Sequence, residues 1–258
     1  MIRMYFDNKE VENLRTVYNR EHPTEVPIQS GSIRKVWSLI RKRLHALCKG
    51  SDECVVQSMI HKPRAPDSWL TNTHEWLSSL DIDAIEKEYT RTFSNYYYVG
   101  AIPIDFDKHS NIGTCLVSSL CSLDIKTLYK KGYTQIGIVF NTDVSTGSGK
   151  HWIALFCDIR PELEYPRITY FDSYANIPEK EIQQLMKRWK EQWDATGIHS
   201  KPMETTYNKV HHQYQESECG MYSVYFHYCC LTGISMEKRV PDDVVRGMRG
   251  LLFRVGKK

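Results

Sequence analysis

Residues 212–222 read HQYQESECGMY. After Cys219 the apolar residues recur at positions 221, 224, 225 and 228, a spacing that predicts a buried helix beginning near Cys219. A cysteine in the first turn lies at the positive end of the helix dipole, which favours the thiolate form. Gly220 would let a substrate backbone approach closely. Taken alone, Cys219 is better explained as an inert buried core residue.

Two further candidate groups stand at the ends of predicted strands. His151 precedes the apolar run 152–156, and Asp172 closes the next apolar run 21 residues after His151. The spacing fits two adjacent antiparallel strands, in which the aspartate would accept a hydrogen bond from the imidazole and hold its tautomer. The plain alternatives are a satisfied core histidine and a turn cap before Ser173.

An amide donor stands six residues before the cysteine. Gln213 lies where its NH₂ group can donate to a developing oxyanion beside the backbone N–H of Cys219. Gln215 is a competing candidate, and a polar group of a surface loop is the plain alternative. Nucleophile, base, orienting acid and oxyanion donor are together what a thiol hydrolase requires, so their conjunction is more specific than any residue alone.

Composition excludes several other classes of protein. The chain has 258 residues, of which 41% are hydrophobic, and a net charge of +3, which is no signature of nucleic-acid binding by itself. We expect no secretory signal and no membrane span. Eight cysteines are too sparse for a disulfide scaffold, which predicts a reducing compartment. Their spacing lacks Cys-x-x-Cys steps, so we expect no metal site, and nothing calls for a cofactor.

Residues 1–90 are helical and charged in pattern, and we expect them to form an N-terminal arm domain. The clearest predicted helix runs from Ser32 to Lys49, with Gly50 as its stop. Its polar face is a solvated surface or, alternatively, a docking site at 33–49 for an acidic partner or nucleic acid. A second helix is predicted from Trp69 to Tyr89, with Ser68 as a cap. The basic residues of the first helix are Arg34, Lys35, Arg41, Lys42, Arg43 and Lys49.

Residues 91–258 change to a β-rich pattern. Extended segments are predicted at 96–104, 135–140, 152–158 and 167–171, and an amphipathic helix follows residues 176–178. The apolar runs are nearly continuous, which indicates a sheet covered on both faces. The predicted fold class is therefore α/β (α+β), with a small central mixed β-sheet flanked by helices. Residues 145–150 look like a phosphate loop but lack the spacing of the Walker pattern.

The arrangement of these candidate groups resembles the adenovirus-protease and Ulp1-like superfamily of cysteine peptidases. Residues 140–156 and 212–223 are similar to the asfarvirus-like polyprotein-processing proteases within it. The resemblance covers about residues 90–258 and implies a triad of Cys219, His151 and Asp172, with Gln213 as oxyanion donor. Asfarvirus proteases have asparagine at the position of Asp172, and glutamine at the position of Glu216. An ionised Glu216 is a poor donor, which favours Gln213.

The resemblance also implies a function. It predicts a viral cysteine endopeptidase that cuts structural polyproteins after a Gly-Gly pair during virion maturation, in the host cytoplasm and the virion. Trp152 beside the base would narrow the cleft, so that glycine fits best. The second interpretation is an isopeptidase that removes ubiquitin- or SUMO-like modifiers, whose tails also end in Gly-Gly. An acyltransferase and an inactive binding module are further alternatives, and the presence of the catalytic residues argues against the last.

Overall fold

The computed structural model describes residues 8–59, 62–111 and 113–254. The N-terminal part is helical: α1 (Asn8–Glu21), α2 (Ile33–Arg43), α3 (His45–Cys48), α4 (Asp52–Met59), a 3₁₀ turn (Asp67–Leu70) and α5 (Ser79–Thr92). The remainder consists of β1 (Tyr96–Pro103), α6 (Ser118–Cys121), α7 (Ile125–Lys130), β2 (Gln135–Asn141), β3 (Trp152–Asp158), β4 (Arg167–Phe171), α8 (Lys180–Asp194), β5 (Glu204–Tyr207), α9 (Cys219–Thr232), α10 (Asp242–Gly247) and α11 (Arg249–Leu252).

The five strands form one mixed sheet in the order β1-β2-β3-β4-β5. The inner pairs β2–β3 and β3–β4 are antiparallel, whereas β1–β2 and β4–β5 are parallel. Ala154 on β3 lies opposite Phe171 on β4, which brings the start of β3 beside the end of β4. The predicted fold class, a small mixed sheet flanked by helices, is confirmed.

Both faces of the sheet are covered, as the apolar runs predicted. Successive side chains of a strand point to opposite faces. On β3, Ala154 and Phe156 therefore join the hydrophobic cluster that contains α9 and the N-terminal helices. Ile153 and Leu155 join the second cluster, on the face that α8 covers. The central strand is consequently buried along its whole length.

The N-terminal helices share a hydrophobic core with the β-rich part of the chain. Ile82, Ile85 and Tyr89 of α5 are fully buried in the same cluster as Met221 and Val224 of α9. Burial of apolar side chains is the dominant favourable contribution to folding, so the two segments stabilise each other. The division into an arm, 1–90, and a core, 91–258, stays a prediction.

A buried polar cluster also connects α5 to α9. Oε1 of Glu86 lies 2.7 Å from Nδ1 of His227, and Tyr96 donates its hydroxyl to Oε2 of Glu86 at 2.8 Å. Nε2 of His227 lies 3.2 Å from the carbonyl oxygen of Leu155. Glu86 and His227 are both 0% exposed. The cluster therefore holds a hydrogen-bonded carboxyl–imidazole pair away from water, between α5, β1, β3 and α9.

Two of the predicted helices differ from the observed ones. The first is interrupted at Leu44, where φ and ψ are −88° and 4°, and it ends at Lys49 and Gly50, which both have positive φ. The prediction of a helix from Trp69 to Tyr89 was wrong over its first half. Residues 71–78 are irregular, and α5 begins after Ser78, which forms a reciprocal capping box with Asp81. That pair is a stronger start signal than Ser68.

Part of the basic face of α2 is neutralised within the chain. Arg41 pairs with Asp52 at 2.9 Å, and Arg43 pairs with Glu25 at 3.2 Å. Both interactions are on the surface, where an ion pair contributes little stability. Docking of an acidic partner or nucleic acid at 33–49 stays a prediction.

Four of the eight cysteines are paired in the structure. Disulfides join Cys48 to Cys54 and Cys115 to Cys121, each across a sequence separation of 6. In both pairs five residues separate the cysteines, in agreement with the absence of Cys-x-x-Cys steps from the sequence. The disulfides arise because each intervening segment turns back on itself, which a count of cysteines does not reveal. Cys219 is a free thiol, and the compartment stays a prediction.

The structure describes neither a metal cluster nor a membrane span. Within residues 8–59, 62–111 and 113–254, no group of three or more His, Cys, Asp or Glu side chains is placed to hold a metal ion. Over the same ranges, no helix combines the length and the apolar character needed to cross a membrane.

Candidate active site

The cysteine stands at the first position of the buried helix α9, as its pattern predicted. Its side chain is 2% exposed. The first N–H groups of an α-helix have no acceptor within the helix, and the helix dipole is positive at this end. Glu218 at the N-cap does not neutralise that end, because its carboxylate accepts hydrogen bonds from Ser217, Arg246 and Arg249 instead. Cys219 therefore lies where a negative charge is stabilised.

His151 immediately precedes β3 and connects the members of the site. Its Nε2 lies 2.7 Å from Oδ1 of Asp172, and a carboxylate accepts only, so Nε2 donates. Cys219 lies close enough to the imidazole to influence its protonation. Burial alone would lower the pKa of His151, but the interactions of the ring with Asp172 and Cys219 outweigh burial and raise the pKa to about 9. This environment favours the imidazolium form of His151.

Asp172 follows β4 and is 1% exposed. Burial alone would raise the pKa of this carboxyl, but the hydrogen bond and charge of His151, followed by hydrogen bonds from Tyr174 and Asn176, hold it below its ordinary value. The Tyr174 N–H donates to Oδ1 at 2.9 Å, and Nδ2 of Asn176 donates to Oδ2 at 2.8 Å. Both carboxylate oxygens are thus satisfied while the group stays ionised.

Asn208 holds the backbone of Asp172 from the other side. Its Oδ1 accepts from the Asp172 N–H, and its Nδ2 donates to the Asp172 carbonyl oxygen, both at 2.9 Å. No sequence pattern pointed to Asn208, Tyr174 or Asn176. The asparagines in particular resemble ordinary turn residues, because they act on a neighbour and carry no reactive group themselves.

Of the two candidate glutamines, Gln213 is the one that the fold places in the site. It is 0% exposed, and its Oε1 accepts from the hydroxyl of Ser173 at 2.6 Å, which orients the NH₂ group away from Ser173. Nε2 donates to the hydroxyl of Tyr174 at 3.1 Å and to the carbonyl oxygen of Gln215. The Gln215 side chain is exposed and accepts from Arg246.

Trp152 and Gly220 form a tight contact with the N-terminal part of the chain. Nε1 of Trp152 donates to the carbonyl oxygen of Leu77 at 2.9 Å. A Cβ added at Gly220 would lie 2.9 Å from Cβ of Leu77 and 3.2 Å from Cδ1 of Trp152. A glycine is therefore required here by packing within the protein. Substrate binding at Trp152 and Gly220 stays a prediction.

A groove of about 540 Å³ adjoins this contact. Its walls come from residues 76–79, from the end of β1 at 101–103 and from the loop between β2 and β3, and Trp152 closes it. Trp76 on its rim is 46% exposed. The groove thus extends from the exposed Trp76 to Trp152, which directly follows His151 in the chain.

The β2–β3 loop is organised by a carboxylate and holds no phosphate cradle. Oδ1 and Oδ2 of Asp143 accept from the N–H groups of Val144 and Gly149, at 3.0 and 3.1 Å. A Cβ at Gly147 would collide with the same carboxylate. The rejection of a Walker-type loop at residues 145–150 agrees with this geometry, because the loop directs N–H groups toward a negative charge of its own.

Buried contacts of Glu218 with two arginines fix the segment immediately before Cys219. Glu218 is 0% exposed; its Oε1 accepts from Nε of Arg246 at 3.0 Å, and its Oε2 accepts from Nη2 of Arg249 at 3.3 Å. Arg249 also donates to the carbonyl oxygen of Glu75 at 2.7 Å and lies over the ring of Trp69. Three distant parts of the chain therefore meet immediately before Cys219.

Comparison with known proteins relates this site to one family. Residues 135–251 match the model of the Ulp1 protease family, C-terminal catalytic domain. The matched segment includes His151, Asp172 and Cys219. The match confirms the predicted resemblance to the Ulp1-like cysteine proteases.

Two viral proteins are similar to the chain. The putative thiol protease R355 of Acanthamoeba polyphaga mimivirus is 30% identical over 185 residues, which are 70% of this chain and 57% of that protein. The SUMO-1 cysteine protease S273R of African swine fever virus is 34% identical over 130 residues, 49% of this chain and 46% of that protein. The chain thus spans about half the length of the curated relatives that it matches.

A solved structure shares the fold of the Ulp1-type domain and of the helices before it. The crystal structure of the African swine fever virus pS273R protease has a TM-score of 0.63 at 22% identity, over 98% of this chain and 92% of that one. At this identity the likeness establishes the fold.

Proposed function

We propose that the protein is a viral cysteine endopeptidase that cleaves structural polyproteins after Gly-Gly during virion maturation, in the host cytoplasm and the virion. The observation that carries the proposal is the position of His151, whose imidazole bonds Asp172 and lies beside Cys219 at the start of α9. Further support comes from the two viral relatives, which are named as thiol or cysteine proteases.

The first step in this mechanism forms an acyl-enzyme. The Cys219 thiolate attacks the carbonyl carbon of the second glycine of the Gly-Gly pair, and the C=O electrons move to the oxygen. Gln213 and the backbone N–H of Cys219 stabilise this oxyanion. His151, held by Asp172, then protonates the leaving amine as the peptide bond breaks and a thioester remains.

Hydrolysis of the thioester completes the cycle. His151, now neutral, removes a proton from a water molecule, which attacks the thioester carbonyl. The second tetrahedral intermediate uses the same oxyanion donors and collapses to release the carboxylate product and the thiolate. The imidazolium that results restores the resting ion pair.

The proposed preference for glycine rests on the space around Trp152. The indole packs against Leu77 and Gly220, and the groove beside them is lined by residues 76–79, by the end of β1 and by the β2–β3 loop. Glycine carries no side chain to collide with such walls. We expect Trp152→Ala to accept alanine in place of one glycine of the Gly-Gly pair, in a competition assay with both peptides. An unchanged preference would show that Trp152 does not select the substrate.

The second candidate function is removal of a ubiquitin- or SUMO-like modifier. One observation favours it specifically, because the African swine fever virus relative is named a SUMO-1 cysteine protease. Modifier tails that end in Gly-Gly would use the same groove and the same nucleophile. The two functions differ only in what the enzyme recognises beyond the tail.

The deciding experiment compares two substrates of the full chain, with Cys219→Ala as the control. One is an unstructured peptide that contains Gly-Gly-X, and the other is a folded SUMO-like modifier with a fluorophore on its C-terminus. Thiol-dependent cleavage of the peptide supports the endopeptidase. Turnover mainly of the modifier replaces it with deconjugation, and retained activity in Cys219→Ala would refute the thiol mechanism.

A further inference from the structure

Tyr174 contacts three other residues of the candidate site, His151, Asp172 and Gln213. Its ring centroid lies 4.9 Å from that of His151, at an interplanar angle of 32°. Its backbone N–H donates to Asp172, and its hydroxyl accepts from Nε2 of Gln213 at 3.1 Å. The phenol therefore stands between the base and the oxyanion donor of the proposed function, on which this inference rests.

The two amide hydrogens of Gln213 are already engaged. One goes to the carbonyl oxygen of Gln215 and the other to the hydroxyl of Tyr174. The amide cannot be reversed, because the carbonyl oxygen of Gln215 only accepts and the NH₂ group must face it. For Gln213 to bond an oxyanion directly, one of these contacts has to break.

The hydroxyl proton of Tyr174, in contrast, is weakly engaged. Its acceptor, the carbonyl oxygen of Gln215, lies at 3.4 Å, beyond the range of about 2.5–3.0 Å that is typical of O–H···O hydrogen bonds. Burial, and after it the charge of Cys219, raises the pKa of Tyr174. The hydroxyl is thus protonated and within the field of the sulfur. A hydroxyl that accepts one hydrogen bond becomes a better donor in the next.

We propose that Tyr174 is a further catalytic residue, whose hydroxyl donates a hydrogen bond to the oxyanion while it accepts one from Gln213. The proton stays on the phenol throughout, and only its hydrogen bond moves from the Gln215 carbonyl to the oxyanion. Gln213 then supports the oxyanion through Tyr174 without giving up either of its own contacts.

The test is Tyr174→Phe in the full chain, which keeps the ring against His151 and removes only the hydroxyl. We expect kcat on a cleavable Gly-Gly-X peptide to fall about 10²-fold, the usual cost of one oxyanion donor. KM should change little, because the lost bond exists only in the transition state. Tyr214→Phe, which removes an exposed hydroxyl from the neighbouring loop, is the matched control and should leave kcat unchanged.

A second measurement separates this role from a merely structural one. Alkylation of Cys219 by iodoacetamide needs the thiolate but forms no oxyanion, so its rate and pH dependence should be the same in Tyr174→Phe and in the unmodified enzyme. A parallel loss of alkylation would show that Tyr174 only positions His151, which overturns the proposal. A kcat that stays or rises would overturn it as well.

The double variant Gln213→Ala/Tyr174→Phe tests the chain of hydrogen bonds. If Gln213 acts through Tyr174, the double variant is no slower than the slower single variant. Multiplied losses would show two independent donors and refute the chain. Failure of the proposed function is recognised separately, because the unmodified enzyme would then show no cleavage that depends on Cys219.

Discussion

His151 bonds Asp172 through Nε2, which leaves Nδ1 for Cys219. Both partners therefore influence the protonation of the same imidazole. The hydrogen bonds and charges of both partners raise the pKa of the imidazole to about 9 against the opposing effect of burial. The imidazolium therefore persists below about pH 9 and is lost as the pH rises above that value.

Asp172→Asn should lower the pH above which the imidazolium of His151 is lost. Asparagine keeps the shape of the side chain but not its charge, so the pKa of His151 falls and the imidazolium is lost at lower pH. We expect kcat/KM near neutral pH to fall at least about tenfold, and the alkaline limb of the pH profile to move to lower pH. The profile of Cys219 alkylation reports the same equilibrium. Asp243→Asn, at an exposed acid, is the control, and an alkaline limb that does not move would contradict the role of Asp172.

The two glutamines before the cysteine provide a matched pair. Gln213 is buried against Ser173 and Tyr174, whereas the Gln215 side chain is exposed beside Arg246. We expect Gln213→Ala to lower kcat about 10²–10³-fold, and Gln215→Ala to remain near the unmodified rate. Single-turnover cleavage of a Gly-Gly-X peptide measures both. The reverse order of effects would assign the oxyanion donor to Gln215.

At the scale of single elements, the position of the nucleophile depends on how closely α9 approaches its neighbours. Its second residue, Gly220, lies under Leu77 and Trp152, and its N-cap, Glu218, is held by Arg246 and Arg249. The first turn of α9 is thus fixed from both sides. Neither contact is encoded in the local pattern that predicts the helix.

Gly220→Ala should therefore destabilise the protein although alanine is the better helix former. The added Cβ would lie 2.9 Å from Cβ of Leu77, and overpacking of this kind costs about 1–3 kcal/mol. Gly247→Ala in α10 is the matched control, since a Cβ there meets no atom within 4 Å. Urea unfolding followed by tryptophan fluorescence compares the two variants. Equal stability of both variants would show that Leu77 and Trp152 move aside for the added Cβ at no cost in free energy.

At the scale of the whole molecule, the N-terminal helices and the sheet share one hydrophobic cluster. The hydrogen-bonded pair of Glu86 and His227 lies inside that cluster and joins α5 to α9. Long-range burial of this extent favours unfolding as one cooperative unit.

Glu86→Ala should lower the stability of the whole chain. Removing the carboxyl leaves the buried hydrogen-bonding groups of His227 and Tyr96 without this partner, at a cost of about 1–3 kcal/mol each. We expect a single urea transition at lower midpoint, in which proteolytic activity and tryptophan fluorescence are lost together. Glu75→Ala, at a glutamate outside this cluster, is the control. A separate early transition that spares the activity would instead support an independent arm of residues 1–90.

Sequence periodicity predicted most of the core fold because its strands and helices each carry a strong local pattern. The strands at 135–140, 152–158 and 167–171 and the helix after Cys219 all appear where the apolar residues placed them. Periodicity failed at residues 71–78, where apolar side chains such as Leu77 serve tertiary contacts and not a helical face. The short strand β5 carries no alternation of buried and exposed residues, so the sequence pattern did not predict it.

The sequence by itself determined the chemistry of the site, because a thiol, an imidazole, a carboxylate and an amide are recognisable by type and by position at element ends. Tertiary structure alone decided which glutamine is buried, that Asn208 and Asn176 hold Asp172, and that Tyr174 joins the base to the amide. Asn176 lies only four residues from Asp172, but the other residues act through neighbours that lie far away along the chain. Their roles depend on distances that exist only after β3, β4 and α9 have packed together.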